Sequence, residues 1–239
     1  MSHIYRFFGE KVNDGTWRLA DEEVTHAVKV LRLNDGDLVE VMDGRGLTGH
    51  GTLKIESKSK ALAVNVTESF TPQDSFCRLL LLGALKPGDV DDLIAPLVEL
   101  GADKIIIYRQ ADTPHFRISD GASDRWQRLV RAALKQSKRP WTVEVQAVGD
   151  LDAALALAAP CTYKWMLDHE AKVDLLAKSL AKPEGQGVAA LIGGEKGLSA
   201  AERAQALKAG FEGVRLGPWV LRARTAAQAA AVFLGMMRI

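Results

Sequence analysis

The stretch that decides the fold is Val188-Ala-Ala-Leu-Ile-Gly-Gly-Glu-Lys-Gly-Leu-Ser-Ala-Ala-Glu202. A continuous apolar run leads into a loop with three glycines, and the spacing of Ser199 and Glu202 is typical of a capping box that begins a helix. Glycine lets a backbone approach a bound molecule closely, and ligands of open α/β sheets bind beyond the carboxyl ends of strands. The stretch predicts a strand, a loop and a helix, and the loop is either a binding loop or a tight turn without a ligand.

The loop at residues 193–199, here called the glycine loop, differs from the common nucleotide-binding motifs. A P-loop ends in Gly-Lys-Ser/Thr, whereas here Lys196 precedes Gly197 and Leu198. A dinucleotide fingerprint places G-x-G-x-x-G in the first βα turn, whereas this loop comes late in the chain. The pattern therefore argues against an enzyme of small metabolites that holds a phosphate in this loop.

Strands and helices alternate on both sides of this stretch, from about residue 75 to residue 236. This alternation predicts a mostly parallel sheet with helices on both faces. The predicted strands are Leu79–Leu85, Lys104–Tyr108, Thr142–Val148, Tyr163–Leu167 and Val188–Ile192. The predicted helices are Asp89–Leu100, Arg125–Lys138, Leu151–Ala158, Val173–Lys182, Ala200–Ala209 and Thr225–Met236.

The first seventy residues have a different texture, with turn and strand signals after one short helix, Ala20–Leu33. Branched and apolar residues predict strands, and the Asp-Gly pair at residues 43–44 is typical of a tight hairpin. The predicted strands are Leu38–Met42, Leu47–Ile55 and Ala61–Val66. The sequence thus predicts a small β-barrel domain at residues 1–70, a polar linker, and an α/β domain at residues 75–239.

The composition excludes several classes of protein. The chain has 239 residues with 31 Lys+Arg, 30 Asp+Glu and 47% hydrophobic residues, a balance that excludes intrinsic disorder. Cys77 and Cys161 form neither a disulfide framework nor a zinc-ligand spacing, so no metal is expected. The apolar runs are shorter than the roughly 18–20 residues of a membrane span, and no signal peptide is visible. We expect a cytoplasmic protein with no membrane partner.

A second candidate loop, here called the late loop, lies at residues 216–222 within the stretch L-G-P-W-V-L-R-A-R-T-A of residues 216–226. A short strand is predicted to end at Leu216, Gly-Pro turns the chain, and an alanine-rich helix begins near Thr225. Small side chains allow another element to pack closely against that helix. Arg222 and Arg224 stand just before it, and either both are solvated surface charges or one of them points into a cleft at the sheet edge.

A concentration of positive charge lies at residues 117–139, which contain seven basic residues and two acids. Basic side chains spaced by three or four residues share one face of the predicted helix. Such a stripe either binds phosphates or is only a solvated face. Its members are Arg125, Arg128, Arg131, Lys135 and Lys138, and Arg139 follows them.

Together these stretches resemble the RsmE family of SPOUT methyltransferases, with this chain as a divergent member. The family's glycine loop reads I-G-P-E-G-G-L-S, and residues 192–199 read I-G-G-E-K-G-L-S. Its late motif reads L-G-P-R-x-L-R-T-E-T-A, which residues 216–226 match in part. The pattern H-x-x-x-V-L-R-L…G-D…D-G of the family's PUA-like domain matches His26 to Gly44. The similarity spans essentially the whole chain in the right order.

The resemblance implies an N-terminal PUA-like β-barrel domain and a C-terminal SPOUT domain with a deep trefoil knot. It implies a homodimer that uses S-adenosylmethionine to methylate N3 of a uridine in 16S ribosomal RNA of the small subunit. Three loops of the knot would hold the cofactor, in large part through backbone groups. The implied cofactor-binding residues are Leu167, His169, Ile192, Gly193, Gly194, Glu195, Gly197, Leu216, Gly217, Leu221, Thr225 and Ala226.

Two residues are the candidates for the chemistry that the resemblance implies. Neutral uracil N3 is a poor nucleophile, so the site must help to remove its proton and stabilise the resulting negative charge. Arg222 suits the second task, because a guanidinium is always charged and offers forked donors. Glu195 is the nearest candidate for a general base. The basic stripe and the N-terminal domain would bind the structured RNA.

The chain departs from the family pattern near the implied site. Gly194 replaces a proline, Lys196 a glycine and Trp219 an arginine, and Gln110-Ala111-Asp112 replaces a Ser-Glu-Arg segment. Ala223 and Arg224 stand where the family has Thr-Glu. These departures leave two alternatives open: a non-catalytic knotted RNA-binding protein, and a SPOUT methyltransferase with a different target base.

Overall fold

The structure, a computed structural model, describes residues 4–111, 113, 120–179 and 184–237. The chain divides into two compact units. Unit 1 comprises Met1–Gln73 and Leu134–Thr142, and unit 2 comprises Asp74–Ala133 and Val143–Ile239. The boundaries expected from the sequence, 1–70 and 75–239, assign Leu134–Thr142 to the second domain, whereas the structure assigns this segment to unit 1.

Unit 1 is a closed barrel with strand order β1-β2-β5-β4-β3, as the sequence predicts for this region. Strands β1 and β3 are parallel, and the other pairs are antiparallel. Its elements are β1 (Tyr5–Asn13), β2 (Thr16–Leu19), α1 (Asp21–Thr25), a π-helical turn (His26–Val30), β3 (Leu38–Met42), β4 (Leu47–Ser57) and β5 (Lys60–Phe70).

The core of the barrel contains Trp17, whose side chain is fully buried while its indole N–H donates to Glu68 Oε1 at 2.8 Å. Glu68 also accepts from Lys11 Nζ at 2.8 Å, and these two hydrogen bonds lower the pKa of Glu68. The helix predicted at Ala20–Leu33 is shorter than expected. After α1 and the π-helical turn, Arg32 has a left-handed φ of 56°, which no helix can continue through.

Unit 2 is built on a six-stranded sheet with order β11-β9-β10-β6-β7-β8, and all five strand pairs are parallel. This confirms the predicted parallel sheet. Its strands are β6 (Cys77–Gly83), β7 (Lys104–Tyr108), β8 (Glu144–Val148), β9 (Tyr163–Leu167), β10 (Gly187–Ile192) and β11 (Glu212–Val214). Its helices are α2 (Pro87–Glu99), α3 (Ala122–Ser137), α4 (Leu151–Leu157), α5 (Leu175–Ser179), α6 (Ala200–Lys208) and α7 (Ala223–Met236). Helix α3 extends into unit 1 at its C-terminal end.

Helices cover both faces of the sheet, because its central strands β10, β6 and β7 are buried on both sides. Leu79 and Leu81 of β6 pack in one cluster with Ala154 of α4 and Ala206 of α6. The opposite face meets α7, which contacts β6 and β10. Arg78 of β6 lies on that face, only 4% exposed.

The buried Arg78 ties the C-terminal end of α7 to the sheet. It donates to the carbonyl oxygens of Leu234 and Met237 at 3.2 and 2.7 Å, and pairs with Asp74 and Asp103 at 2.6 and 3.1 Å. The last carbonyls of a helix have no partner within the helix, so a cation there both satisfies them and complements the helix dipole.

Most predicted bounds in unit 2 differ from those of the structure by one to three residues; for example, β6 was predicted at residues 79–85, β8 at 142–148 and α3 at 125–138. The strand predicted to end at Leu216 is β11, which ends at Val214, and the helix predicted at Val173–Lys182 is α5. Residues 180–183 lie outside the described part of the chain. Within the part that the structure describes, no helix combines the length and apolar character needed to cross a membrane.

Candidate functional site

Three loops of unit 2 surround a cavity of about 260 Å³ at the carboxyl ends of neighbouring strands. Leu167 ends β9 and residues 168–169 follow it, the glycine loop follows β10, and the late loop follows β11. Because β11, β9 and β10 are adjacent and parallel, their carboxyl ends meet at one edge of the sheet. The sheet order thus brings together segments that are far apart in the sequence.

Most of the residues implied by the resemblance line this cavity. Those that do are Leu167, His169, Ile192, Gly193, Gly194, Glu195, Gly197, Leu216, Gly217, Leu221 and Ala226. Thr225 and Arg222 are not among the lining residues, and both are exposed. The neighbours of Arg222 on either side, Leu221 and Ala223, do line the cavity, so Arg222 lies at its rim.

Further residues line the cavity beyond those implied to bind the cofactor, although Lys196, Trp219 and Ala223 were placed near the implied site. The further residues are Asp168, Lys196, Leu198, Arg203, Trp219, Val220 and Ala223. Asp168 lies between two residues that were predicted, so its position in the chain could have indicated it. Arg203 lies in the first turn of α6, and no local pattern distinguishes it from an ordinary solvated arginine.

The glycine loop is shaped by its own backbone and by the helix that follows. Gly197 N–H donates to Gly194 O at 3.0 Å, and Gly197 has a left-handed φ of 76°. A Cβ on Gly193 would overlap the backbone of Gly197, so the loop needs a glycine there. The predicted capping box is present, because Ser199 Oγ accepts from Glu202 N–H and Glu202 Oε2 accepts from Ser199 N–H.

Two side chains from β7 and the loop after it hold the glycine loop from behind. Gln110 is 3% exposed; its Oε1 accepts from Gly194 N–H at 2.6 Å, and its Nε2 donates to Gly197 O at 3.0 Å. The same Nε2 lies 3.2 and 3.3 Å from the carboxylate oxygens of Glu202. Tyr108 donates its hydroxyl hydrogen to Ile192 O at 3.2 Å, and burial raises the pKa of Tyr108, which keeps it a donor.

The charged groups at the cavity are arranged in pairs. Arg203 hydrogen-bonds to Asp168 and to Leu198 O, and its Nη1 lies 3.2 Å from Glu170 Oε2. Glu195 is more open: its side chain is 56% exposed, and Oε1 lies 3.9 Å from Lys86 Nζ. Glu195 is therefore the more accessible of the two lining carboxylates, since the Asp168 side chain is only 12% exposed.

The cysteines are unsuited to nucleophilic chemistry. Burial raises the pKa of Cys161 to about 11, and it also raises the pKa of Cys77. Both thiols are therefore protonated at neutral pH, and the thiolate is the nucleophilic form.

The late loop presents apolar side chains to solvent, with Trp219 78% and Val220 75% exposed. Arg222, at the N-cap of α7, contributes no side-chain cap. The next arginine, Arg224, turns away from the cavity lining and pairs with Asp89 Oδ1 at 2.7 Å and Asp92 Oδ2 at 3.3 Å, both on α2. Arg224, which stands where the family has a glutamate, thus has its positive charge compensated by two acids of α2.

The predicted basic stripe is only partly open to solvent. In unit 2, Arg125 Nε lies 2.6 Å from Asp91 Oδ2. In unit 1, Lys135 Nζ lies 2.8 Å from both carboxylate oxygens of Glu23. Arg128 and Lys138 are exposed, whereas the remaining members, Arg131 and Arg139, are half-buried. Arg125 and Lys135 are thus engaged in close ion pairs within their own units, and Lys138 Nζ lies 4.0 Å from Glu40 Oε1 in unit 1.

Comparison with known sequence families gives two matches. The family described as "RNA methyltransferase domain" matches residues 76–235. The family described as "RNA methyltransferase PUA domain" matches residues 19–64, within the barrel of unit 1.

Individual relatives are similar over most of their length. The chain is 28% identical over 233 residues to Ribosomal RNA small subunit methyltransferase E of Synechocystis, covering 91% of this chain and 72% of the relative. It is 24% identical to the Bacillus subtilis protein of the same name, covering 88% and 86%. The crystal structure of Ribosomal RNA small subunit methyltransferase E from Neisseria gonorrhoeae, bound to S-adenosyl methionine, matches with a TM-score of 0.80 and 28% identity, covering 96% and 95%.

Proposed function

The chain belongs to the RNA methyltransferase family, and on that premise we propose that it transfers a methyl group from S-adenosylmethionine to N3 of a uridine in 16S ribosomal RNA. The resemblance to the RsmE family predicted from the sequence is confirmed by the matches to both domains and to relatives of that type. The observation that carries the proposal is the cavity at the sheet edge, which is lined by both family motifs and by residues 167–169.

The cavity fits a cofactor that is held largely by backbone groups. Gly193, Gly217 and Ala226 line the cavity, and none has a side chain larger than a methyl group, so their backbone would lie close to a molecule bound there. The relative from Neisseria gonorrhoeae, which is bound to S-adenosyl methionine, supports the same ligand here. When bound, the cofactor supplies an electrophilic methyl group on a sulfonium, and positioning provides much of the acceleration.

The residues of this chain would act on the uracil. Arg222 is exposed at the rim of the cavity, next to two lining residues, where it can meet RNA bound over the opening. Its guanidinium would stabilise the negative charge that develops when N3 loses its proton. Glu195 has the more accessible carboxylate in the lining and is the candidate to receive that proton.

RNA binding would use both parts of the chain, with residues 1–70 as the binding domain and residues 75–239 as the catalytic domain. The PUA match supports the first assignment. Within the stripe, the exposed Arg128 would contribute more than Arg125 and Lys135, whose charges are compensated by acids at 2.6 and 2.8 Å. Lys138 is also exposed, and its contact with Glu40 Oε1 is longer, at 4.0 Å. A trefoil knot, a homodimer and a cytoplasmic location belong to the same proposal.

A transfer assay tests the proposal directly. The protein is mixed with S-adenosylmethionine carrying a labelled methyl group and with small ribosomal subunits from a strain that lacks the endogenous activity. We expect label in 16S RNA, and mass spectrometry should place it on N3 of one uridine. Bound cofactor without label transfer would contradict the substrate, and label on another base would favour the alternative of a different target.

A second candidate, a non-catalytic RNA-binding protein, is favoured by one observation: Arg222 lies outside the cavity lining, beside the altered pair Ala223 and Arg224. Calorimetry with S-adenosylmethionine separates the two. Heat of binding and a raised melting temperature favour the enzyme, whereas RNA retention with no cofactor binding favours the second candidate.

A further inference from the structure

We propose that Gln110 is a positioning residue that holds the glycine loop in the shape needed for cofactor binding. The inference rests on the proposed function, because it assigns the loop to a cofactor. Gln110 does not line the cavity, and its side chain contacts the glycine loop from the side away from the cavity. It would therefore act through the loop backbone and not by touching the cofactor.

The path of the Gln110 side chain shows how specific this contact is. Gln110 follows β7, and β6 lies between β7 and β10 in the sheet, so the side chain must pass the end of one strand to reach the loop after the next. That strand ends at Gly83, where a Cβ would overlap both Gln110 Oε1 and Gly194 N. A Cβ on Gly194 would also overlap Gln110 Oε1. Two glycines therefore leave the space that one buried amide occupies.

The hydrogen bonds of this amide define the turn of the loop. Gly194 N–H donates to Gln110, Gly194 O accepts from Gly197 N–H, and Gly197 O accepts from Gln110. The polar backbone groups of both glycines thus already have partners within the protein. Backbone groups that bind a ligand directly must come from other residues of the loop, while Gly194 and Gly197 set its shape.

Hydrogen bonds hold both the side-chain amide and the backbone of Gln110. Its Nε2 points at the carboxylate of Glu202, which also closes the capping box with Ser199, so the loop and the start of α6 share one network. At the backbone, Thr113 N–H donates to Gln110 O at 3.1 Å, and Thr113 Oγ1 lies 3.1 Å from Gln110 N. Only an amide can accept from Gly194 and donate to Gly197 and Glu202 at once, because a carboxylate has no donor.

The test compares Gln110→Met with the matched control Gln205→Met. Methionine keeps the length of the side chain and removes both hydrogen-bonding functions. Gln205 lies on α6 with its amide bonded to Asp152, and it does not line the cavity. Two quantities are measured at a temperature where every variant is folded: the Kd for S-adenosylmethionine by calorimetry, and the hydrogen-exchange rate of the Gly194 amide by NMR.

We expect Gln110→Met to raise the Kd by about tenfold or more and to speed exchange at Gly194, since buried groups lose their partners. Gln205→Met should stay within about twofold of the wild type in both. The reciprocal pair Gln110→Glu with Glu202→Gln returns a donor opposite an acceptor, so it should bind the cofactor more tightly than Gln110→Glu alone. If Gln110→Met does not fold, Gln110→Asn, whose amide falls one methylene short, takes its place with the same expectations.

Two results would overturn the proposal. One is an unchanged Kd in the variant, whether or not Gly194 exchange is faster, because Gln110 would then be only structural. The other is an unchanged exchange rate at Gly194. If the wild-type protein itself binds no S-adenosylmethionine, the proposed function fails, and the exchange rate alone then decides whether Gln110 holds the loop.

Discussion

The two loops that carry the family motifs are built in opposite ways. The glycine loop is held from behind by a buried amide, has an internal hydrogen bond and continues into a capped helix. The late loop exposes Trp219 and Val220, and Arg222 at its end makes no side-chain cap. The first loop is thus fixed by the protein itself, whereas the second presents its side chains outward.

This difference indicates that the two loops have different roles at the same cavity. A loop whose polar groups already have partners offers a preformed surface, which reduces the ordering that a ligand must induce. A loop with exposed aromatic and charged side chains supplies contacts that are made only when something binds. Changes in the glycine loop should therefore affect stability and cofactor binding together, and changes in the late loop should affect function alone.

The largest expected effect is that of Arg222→Ala in the late loop. We expect turnover of ribosomal RNA to fall by about 10²–10³-fold, the typical cost of removing one donor that stabilises developing charge. Cofactor affinity should stay near that of the wild type, because Arg222 is outside the cavity lining. Single-turnover kinetics and calorimetry measure the two separately.

Arg224→Ala is the matched control for Arg222, because it removes an arginine two residues away. Arg224 is 44% exposed in its side chain and paired with Asp89 and Asp92, so its loss should cost only about 0.2–1 kcal/mol of stability and leave turnover unchanged. Equal losses of turnover and cofactor affinity in Arg222→Ala would mean that Arg222 binds the cofactor.

The next largest effect is that of Gly194→Ala in the glycine loop. The new Cβ would overlap Gln110 Oε1 and lie 2.8 Å from Ala84 O, so the loop must shift. We expect the free energy of unfolding to fall by about 1–3 kcal/mol, as for other overpacked sites, and cofactor affinity to fall with it. Urea unfolding and calorimetry measure the two changes.

Gly88→Ala is the control for Gly194→Ala, because a Cβ on Gly88 meets nothing within 4 Å. Gly88 lies in the first turn of α2, where alanine should leave stability unchanged or raise it by about 0.4–1 kcal/mol. A Gly194→Ala protein as stable as the wild type, with full cofactor affinity, would show that the glycine loop is not fixed by the protein.

The sequence alone predicts much of this fold, and the reason lies in the strands. The bounds of β7 were predicted correctly, because this strand is an apolar run buried on both faces. The bounds of β3 and β9 were also predicted correctly, although β9 contains Lys164 and is only partly buried. Strand β1 was missed, because Tyr5–Asn13 carries charges and has a mostly half-exposed pattern at the barrel surface. A strand buried on one side only lacks the signal that identifies β7.

The residues of the candidate site likewise divide into those that the sequence predicts and those that it does not. Residues within the motifs could be placed from the resemblance, and most of them line the cavity. Gln110 and Arg203 could not, because their contacts depend on which strands are neighbours in the sheet and not on nearby sequence. Arg224 could not be placed from the sequence for the same reason. The family pattern assigns it to the active site, whereas in the structure it pairs with acids of α2.

A smaller effect is expected for Trp219→Ala. Its side chain is 78% exposed, so the free energy of unfolding should change by no more than about 0.5 kcal/mol. Cofactor affinity should nevertheless decrease, because Trp219 lines the cavity and a bound molecule would cover part of its apolar surface. A loss of stability as large as that of Gly194→Ala would remove the distinction between the two loops.

The smallest effect concerns the ion pair just before the late loop. Arg215 donates from Nε to Asp174 Oδ1 at 2.6 Å, and the same segments exchange backbone bonds, Leu175 N–H to Arg215 O and Arg215 N–H to Val173 O. The hydrogen bond from Arg215 lowers the pKa of Asp174 below its ordinary value of 3.8. By contrast, Gln110, which holds the glycine loop, has an amide side chain that is not titratable.

The sign of the pH dependence follows from that lowered pKa. A carboxyl group whose pKa is lower in the folded protein stabilises the fold above its unfolded pKa, and loses this contribution as the pH falls through the folded value. The difference in unfolding free energy between wild type and Asp174→Asn should therefore be constant above about pH 5, and it should shrink as the pH falls below the unfolded pKa and through the lowered folded pKa. Urea unfolding at a series of pH values measures it. The effect should be small, because both side chains are exposed. A difference that grows in acid would mean that Asp174 is protonated more readily in the folded protein, and that this pair does not support the late loop.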